Sequence, residues 1–545
     1  MHEILRQVAP LKELFKEPKR GEKFSLKCGE IFCDFSKNRL DEAAFCRLKE
    51  VVSKRKIQDK IAAMQEGAKV NQSEKRASLH YALRASLAEQ EAVAASCDAR
   101  GEGRIAAQIR QIPQVLEQIR RFSEAVRSGE WQLSGGRRVK NVVNIGIGGS
   151  DLGVAMAVCG LREFQDKNLN IHFVSNADLT QLREVLSACE AQETLFVVVS
   201  KTFTTQETML NANAAKQWLE ERLGNEAVGR HFVAASTNKA LCKEFGISKT
   251  FEFFDFVGGR FSVWSAVGLS LCIAVGWENF AEFLAGAREV DLQFFNAEFE
   301  ENLPLILGAI DYCNALCGVG ARAVLAYPYA LRLFPAFLEQ LCMESNGKDA
   351  FGDFEEFKKA GLPAQTKSEF LRQNGVFQPS APVVFGACGS NAQHAFMQLV
   401  HQSSEVVATD FITLKGEKVA NANALSQAKA LAFGQDFDEA LSKTLEKNSA
   451  QETGEARFLA HSRIFTGNRP SNFFVLENLT PKSLGSLIAI FEHRVFVEGL
   501  LLGVNSFDQF GVELGKEICS LMLNRGEKRE KLDSSTEQLR ERLGL

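Results

Sequence analysis

The sequence predicts an α/β protein whose strands form parallel sheets. Short β-branched runs end in Gly, Asn or Ser within residues 139–149, 169–176 and 193–200, and helical stretches separate them. A second set of such runs lies at 322–329 and 381–389. Near-continuous apolar strands that alternate with helices are typical of a parallel sheet covered on both faces. We therefore expect two α/β domains in this chain.

Helical patterns flank and join these two sets of strands. Apolar residues recur at helical spacing over residues 40–67, a stretch that ends on a glycine, and the chain beyond residue 511 is again helical in pattern. We predict four parts in order: a helical N-terminal segment packed on the second α/β domain (1–110), a first α/β domain (111–275), a second α/β domain (276–510) and a C-terminal helical arm (511–545).

The composition excludes several classes of protein. The net charge of −4 gives no reason to expect a nucleic acid as partner, and no run of 18 apolar residues predicts a membrane helix. The first residues lack the apolar stretch of a signal peptide. The 13 cysteines are scattered without C-x-x-C pairs. We expect reduced thiols in a cytoplasmic protein, with neither disulfides nor a zinc cluster.

The stretch GIGGSDLG (146–153) directly follows a predicted strand and opens a predicted helix. Glycines there let the backbone approach an anion, and a helix N-terminus offers free N–H groups to a phosphate. A dinucleotide fold would need a third glycine where Asp151 stands, and a carboxylate beside a pyrophosphate would repel it. The motif favours a monophosphate, with a tight turn that binds no ligand as the alternative.

The stretch SKTFTTQET (200–208) follows another predicted strand. It places four hydroxyls, those of Ser200, Thr202, Thr204 and Thr205, beside the ammonium of Lys201. Several donors and one cation at the carboxyl end of a strand suit a phosphate. The alternative is a helix N-cap rich in Ser and Thr. Two such turns in one α/β domain favour a shared phosphate site, and this domain is the first.

Two further stretches carry a single charge in an apolar setting. Arg260 follows two glycines in VGGRFSVWSAVG (257–268). A lone arginine is usually part of a surface ion pair, whereas the apolar flanks here indicate a charge that faces a cleft or a buried partner, and both interpretations stay open. Glu344 ends the apolar run of EQLCMESNGK (339–348), before a polar stretch whose Asn-Gly pair predicts a turn. A carboxylate near the C-terminus of a helix is unfavourable. Either Glu344 is a solvated residue of the last turn, or a function requires it there.

Two stretches in the last third of the chain indicate little about function from their local pattern alone. GSNAQHAFMQLVHQ (389–402) predicts a helix with His394 in its first turn and His401 on the same face. This spacing of seven does not match the i, i+4 pair of a metal site, so a core or capping histidine is the simpler interpretation. NSFDQFGVELGK (505–516) holds Gln509 and Lys516, and Lys516 alone predicts no more than a surface lysine.

Taken in order, these stretches resemble the glucose-6-phosphate isomerase family, also called phosphoglucose isomerase. GEIFCDFSKNRL (29–40) and KVNQSEKRASLHYALR (69–84) belong to the same resemblance, which therefore spans almost the full chain. It implies two sugar-isomerase domains of the flavodoxin-like αβα type, assembled as a homodimer. It further implies reversible conversion of glucose 6-phosphate and fructose 6-phosphate through a cis-enediol, in glycolysis and gluconeogenesis, without metal or other cofactor.

The resemblance also implies roles for individual residues. Glu344 would be the base, Arg260 would line the sugar site, and His394 and Lys516 would assist ring opening, with the histidine supplied by the partner subunit. Because a fixed cation stabilises a negative enediolate, Arg260 is also our candidate for that role. The substrate-binding residues that it implies are Gly149, Ser150, Ser200, Lys201, Thr202, Thr205, Gly259, Gln340 and Gln509.

The chain departs from the family pattern at two positions. Phe510 stands where tryptophan is usual, and Ala392 stands where glycine is common. Neither change removes a reacting group. A non-catalytic sugar-phosphate regulator is the alternative function, and the joint presence of Glu344, His394 and Lys516 argues against it. The sequence leaves open a side activity on mannose 6-phosphate.

Overall fold

The computed structural model describes residues 7–448, 452–523 and 532–545. The strands in this part of the chain form two sheets. The strands are β1 (Ser25–Cys28), β2 (Ile31–Asp34), β3 (Asn141–Ile145), β4 (Asn170–Val174), β5 (Thr194–Val199), β6 (Phe232–Ala235), β7 (Lys249–Phe251), β8 (Ala321–Ala326), β9 (Val383–Cys388), β10 (Val407–Leu414) and β11 (Ser471–Leu476). The α/β class with parallel sheets is confirmed, and the five predicted strands correspond to β3, β4, β5, β8 and β9.

The first sheet has the order β4-β3-β5-β6-β7 and is parallel throughout. Every residue of β3 and β5 is buried, which is why these strands are almost continuously apolar in sequence. Because β3 and β5 are hydrogen-bonded parallel neighbours, the loops that follow them leave the same edge of the sheet. The helices around this sheet are Gly103–Ser128, Leu152–Gly160, Thr180–Ser187, Gln206–Leu223, Val228–His231, Lys239–Phe245 and Leu269–Val275.

The second sheet has the order β1-β2-β11-β10-β8-β9. Strands β8 to β11 are parallel, and the antiparallel hairpin β1-β2 extends this sheet through β11. The hairpin comes from the N-terminal segment and was not predicted. The helices after β8 are Phe334–Glu339, Phe354–Lys359, Lys367–Gln373, Gly389–Gln393, Met397–Gln402, Lys418–Phe433, Phe437–Asn448 and Gly454–His461.

A bundle of long helices lies beside the sheets. Pro481–Leu502 packs against Trp277–Asn296 and Leu303–Leu316 and is buried around almost its whole circumference. Its buried charges, Glu492, Arg494 and Glu498 among them, have partners of opposite charge. Within the described residues, the helices are all too short or too polar to cross a membrane.

The N-terminal helices are Leu11–Leu14, Arg20–Lys23, Glu42–Lys54, Ile57–Gln65 and Leu87–Ala99. The predicted helix over 40–67 is therefore two helices, because Lys56 adopts a left-handed conformation (φ 53°) between them. A separate compact unit begins at Phe507 and contains the helices Glu513–Leu523 and Ser534–Leu543, as the helical pattern predicted.

Candidate active site

The loop after β3 has the predicted strand–turn–helix arrangement. Gly148 to Ser150 form a 3-10 turn between β3 and the helix Leu152–Gly160. A Cβ atom on Gly149 would lie 2.1 Å from the carbonyl carbon of Gly259, so only glycine fits there. The hydroxyl of Ser262 also donates to the Gly149 carbonyl at 3.3 Å. The two glycine-rich stretches predicted from sequence therefore contact each other through their backbones.

The loop after β5 carries the predicted cluster of hydroxyls. The Oγ of Ser200 lies 3.1 Å from the Oγ1 of Thr205, and it accepts a hydrogen bond from the N–H of Phe203 at 3.1 Å. Phe203 is buried with φ 57°, so its ring anchors the loop in the core of the first sheet. Thr202 Oγ1 lies 2.7 Å from Thr204 Oγ1. This loop presents short polar side chains at the sheet edge that the Gly148–Ser150 turn shares.

Lys201 is held inside this loop by groups that the sequence did not suggest. Its Nζ donates to the Asp255 carbonyl at 3.1 Å and lies 3.9 Å from the Asp255 carboxylate. The hydroxyls of Ser236 and Thr237, which follow β6, donate to the Lys201 carbonyl at 3.1 and 2.6 Å. Burial lowers the pKa of Lys201, and the Asp255 carboxylate opposes that shift. The ammonium is thus pre-positioned before any anion binds.

Glu344 ends a π-helical turn, Gln340–Glu344, that continues the helix Phe334–Glu339. Its Oε2 accepts a hydrogen bond from Gln340 Nε2 at 3.0 Å, and its side chain is 23% exposed. The turn predicted at Asn346–Gly347 is wrong, because helical geometry continues through Asn346 and neither of those two residues has the positive φ that such a turn uses. Single π turns are frequent at functional sites. Glu344 is therefore not a solvated residue of an ordinary last turn.

Arg260 is the buried cation that Glu344 faces. Its Nη1 lies 3.4 Å from Glu344 Oε2, and the guanidinium is almost fully buried. Its Nε donates to Ser345 Oγ at 2.7 Å and its Nη2 to the Ser506 carbonyl at 2.7 Å. The surface ion pair that is usual for a lone arginine is therefore excluded, and Arg260 lies in a buried setting, as its apolar flanks indicated. Neither Ser345 nor Ser506 was predicted, although Ser345 directly follows Glu344 in sequence.

Gln340 connects this pair to the loop after β3. Its Nε2 lies 3.2 Å from where a Cβ on Gly148 would stand. Its Oε1 is buried without a hydrogen-bond partner in the described part of the chain. The structure therefore brings Gly149, Gly259, Arg260, Gln340 and Glu344 into one cluster. A carboxylate beside a fixed cation and a free amide oxygen can move a proton and stabilise the negative charge that results.

His394 lies elsewhere in the fold. It is exposed and follows the short helix Gly389–Gln393, and a second helix, Met397–Gln402, begins after Phe396. The prediction of one continuous helix with two histidines on one face is therefore wrong. His401 contacts Gln427 Oε1 at 2.7 Å and is a structural residue. The hydrogen bonds and ion pairs of the described residues do not join the His394 ring to Glu344.

Gln509 and Lys516 belong to the unit that begins at Phe507. Gln509 precedes the 3-10 turn Phe510–Val512, and Lys516 is exposed on the helix Glu513–Leu523. Phe510, one of the two departures, is 51% exposed, whereas Ala392 is fully buried.

Comparisons with known proteins agree with the fold and with the family resemblance seen in the sequence. The family model for phosphoglucose isomerase matches residues 34–540. A glucose-6-phosphate isomerase of Helicobacter pylori is 41% identical over 556 residues, covering 99% of this chain and 96% of that protein. One from Frankia casuarinae is 42% identical over 565 residues, covering 99% and 95%. The crystal structure of a glucose-6-phosphate isomerase from Chlamydia trachomatis matches with a TM-score of 0.80 at 27% identity, covering 100% of this chain and 97% of that one.

Proposed function

The chain belongs to the phosphoglucose isomerase family, and from this premise we propose a mechanism in which Glu344 moves a proton within a sugar phosphate. The reaction is the reversible isomerisation of glucose 6-phosphate and fructose 6-phosphate, in glycolysis and gluconeogenesis. An aldose and its ketose differ by the position of one proton on two adjacent carbons. Glu344 takes the proton from C2 of the open-chain aldose, a cis-enediol forms, and the same carboxyl returns the proton to C1.

The contact between Arg260 and Glu344 carries this proposal. When the C2 proton leaves, negative charge develops on the adjacent oxygen, and a fixed cation stabilises it without reorganisation. Arg260 is buried and supplies that cation 3.4 Å from the carboxylate. Gln340 donates to the same Oε2 and keeps its buried Oε1 for a sugar hydroxyl. The close backbone contact of Gly149 with Gly259 places the loop after β3 beside this pair, so the backbone of both glycines is assigned to the sugar site.

The phosphate group binds at the edge shared by the loops after β3 and β5. We assign it to Ser150, Ser200, Lys201, Thr202 and Thr205. The held ammonium of Lys201 and the hydroxyls around Ser200 support this assignment. Binding the phosphate away from the reacting carbons orients the sugar and lowers the barrier.

Replacing Lys201 by methionine is expected to raise KM for fructose 6-phosphate by roughly 10- to 100-fold, because a charge-assisted contact to phosphate is lost. The change in kcat should be smaller. The matched control is Lys140→Met, which removes an exposed lysine paired with Glu193 just before β3. Initial-rate kinetics on both variants measure the effect. An unchanged KM in Lys201→Met would contradict the phosphate assignment.

Ring opening must precede proton transfer, and we assign it to His394 and Lys516, with Gln509 as a further sugar contact. The exposed position of His394 supports a role in a second subunit, as the family resemblance implies. A homodimer in the cytoplasm is therefore part of the same proposal. In a twofold dimer, each site would combine Glu344 of one subunit with His394 of the partner.

Complementation tests the shared site. Glu344→Gln and His394→Ala are each expected to be nearly inactive alone. After subunit exchange, mixed dimers contain one site with both native residues, so about a quarter of wild-type activity should return. Mixing Glu344→Gln with a double variant that also carries His394→Ala is the control and should restore nothing. If the mixture of single variants stays inactive although exchange is complete, His394 does not act across the interface.

The activity itself is tested by a coupled assay. Purified protein in EDTA receives fructose 6-phosphate, and glucose 6-phosphate dehydrogenase reports the product. Rapid formation of glucose 6-phosphate is expected. A folded dimer that forms none would overturn the proposed function.

A further inference from the structure

The two residues that follow Glu344, Ser345 and Asn346, are held in an unusual way for polar residues. Ser345 and Asn346 are almost fully buried. Ser345 Oγ accepts from Arg260 Nε at 2.7 Å. Asn346 Nδ2 donates to the Val495 carbonyl at 2.9 Å and to Glu498 Oε2 at 2.9 Å. The backbone that carries Glu344 is thereby tied to the helix Pro481–Leu502.

Asn346 also reaches Arg260 through one intermediate residue. Its Oδ1 accepts from Ser506 Oγ at 2.8 Å, and the Ser506 carbonyl accepts from Arg260 Nη2 at 2.7 Å. A hydrogen-bonded path therefore runs from Asn346 through Ser506 to the guanidinium. This path and Ser345 together hold two different nitrogens of the Arg260 guanidinium, Nη2 and Nε.

Packing leaves this path little freedom. A Cβ atom on Gly499 would lie 2.0 Å from Ser506 Oγ and 2.6 Å from Asn346 Oδ1. Glycine at position 499 is what allows these two side chains to meet beside the helix. Any other residue there would separate them.

The far end of the path is a buried ionic cluster. Glu498 Oε1 accepts from Arg322 Nη2 at 3.0 Å, and the same nitrogen lies 2.8 Å from Asp311 Oδ2. Asp311 in turn binds Arg494 through two contacts at 2.6 and 2.8 Å. Burial raises the pKa of Glu498, and Arg322 opposes the shift. A carboxylate held in this way is a rigid acceptor for Asn346.

We propose that Asn346 and Glu498 are positioning residues, which fix the Ser506 carbonyl so that Arg260 faces Glu344 in the geometry that proton transfer needs. The inference rests on the proposed roles of Glu344 and Arg260. The physical reason is that a displacement of about 1 Å in a catalytic group can cost roughly 10²-fold in rate. Asn346 positions Arg260 through Ser506, and its own anchoring to the helix Pro481–Leu502 positions the backbone that carries Glu344. It therefore positions both members of the pair.

The test is Asn346→Ala, assayed with glucose 6-phosphate carrying hydrogen or deuterium at C2. We expect kcat per folded enzyme to fall by roughly 10- to 100-fold, with KM within about threefold of wild type. We also expect the deuterium isotope effect on kcat to rise, since removal of the C2 proton becomes the slower step. A merely structural role would lower the folded fraction and the Tm but would leave the isotope effect unchanged.

The matched control is Asn472→Ala. Asn472 is also buried, and its Nδ2 donates to Asp410 Oδ1 at 2.7 Å. Asp410 binds Arg494, so it belongs to the same ionic cluster at the end remote from Glu498. It should lower the Tm by a similar amount and leave kcat and the isotope effect of the folded enzyme unchanged. If both variants show the same kcat and isotope effect, the positioning role is wrong.

A milder variant covers the case in which Asn346→Ala does not fold. Ser506→Ala removes only the hydroxyl that joins Asn346 to the Arg260 acceptor. It should show a smaller fall in kcat and the same rise in isotope effect, whereas wild-type values for both would overturn the proposal. An inactive wild-type enzyme would overturn the proposed function instead, so the two failures are distinguishable.

Discussion

Replacing Glu344 by glutamine is expected to lower kcat by roughly 10³-fold, with KM within a few-fold of wild type. The amide keeps the size of the side chain and an oxygen that Gln340 and Arg260 can still contact. It cannot accept the C2 proton at neutral pH. A loss of this size corresponds to about 4 kcal/mol of transition-state stabilisation. We expect substrate binding to change little, because the proposed phosphate site consists of other residues, on the loops after β3 and β5.

The control for Glu344→Gln is Glu339→Gln, the same chemical change at the end of the preceding helix. Burial raises the pKa of Glu339, so this is also a carboxyl in a perturbed setting, and its carboxylate is hydrogen-bonded to the backbone at Gly386. We expect Glu339→Gln to keep most of its kcat. Steady-state rates in both directions, with exchange of the C2 hydrogen into solvent, measure the difference. If Glu344→Gln exchanges this hydrogen at the wild-type rate, another group is the base.

The strands that the sequence predicted are short runs rich in apolar and β-branched residues. β5 consists of TLFVVV and is buried throughout. β10 escaped prediction because Thr409, Asp410 and Thr413 interrupt its apolar run, although all three are buried. Asp410 is stable in a central strand because Arg494 binds it at 2.8 Å from the helix Pro481–Leu502. That partner is 84 residues away in sequence, so no local pattern could have indicated the strand.

The candidate site, too, has a part that the sequence could predict and a part that it could not. The placement of the two loops after β3 and β5 was predictable, because the strand ends of a parallel sheet share an edge; their binding of phosphate stays a prediction from the residue types that they carry. The contact of Gly149 with Gly259 and the pairing of Arg260 with Glu344 join residues far apart in sequence. Only the ordered resemblance to a family connected them. Local reasoning on Glu344 correctly found it unfavourable in a helix end, and conflict between local preference and position is expected at functional sites.

Neither local sequence patterns nor the family resemblance predicted the structure of the polar stretch after Glu344. A turn explains an Asn-Gly pair in general, but here Asn346 is a buried hydrogen-bonding residue of a continuing helix. Gly347 is needed for close packing, since a Cβ there would lie 2.5 Å from the Met343 carbonyl oxygen. Residue types that usually indicate a turn therefore hold the backbone beside Glu344 and Arg260 here, Asn346 through tertiary hydrogen bonds and Gly347 through close packing on the preceding turn.

Replacing Arg260 by lysine is expected to lower kcat by roughly 10²- to 10³-fold, the usual cost of losing a donor aimed at developing negative charge. The substitution keeps the positive charge. Lysine cannot, however, reach Ser345 Oγ, the Ser506 carbonyl and Glu344 with one rigid planar fork, as the guanidinium does. The lysine ammonium would contact only one of these acceptors, so its positive charge would no longer be fixed where the enediolate forms.

Binding of an enediolate mimic separates this effect from a general loss of structure. A five-carbon aldonate phosphate carries a carboxylate in place of the enediolate, so its affinity follows stabilisation of that charge. Its Ki should rise in Arg260→Lys by about the factor by which kcat/KM falls, whereas in Glu344→Gln it should not rise. Arg469→Lys is the control, because Arg469 is also buried and donates to the carbonyls of Ser403 and Glu405. An unchanged Ki in Arg260→Lys would mean that Arg260 holds Glu344 in place but does not stabilise the intermediate.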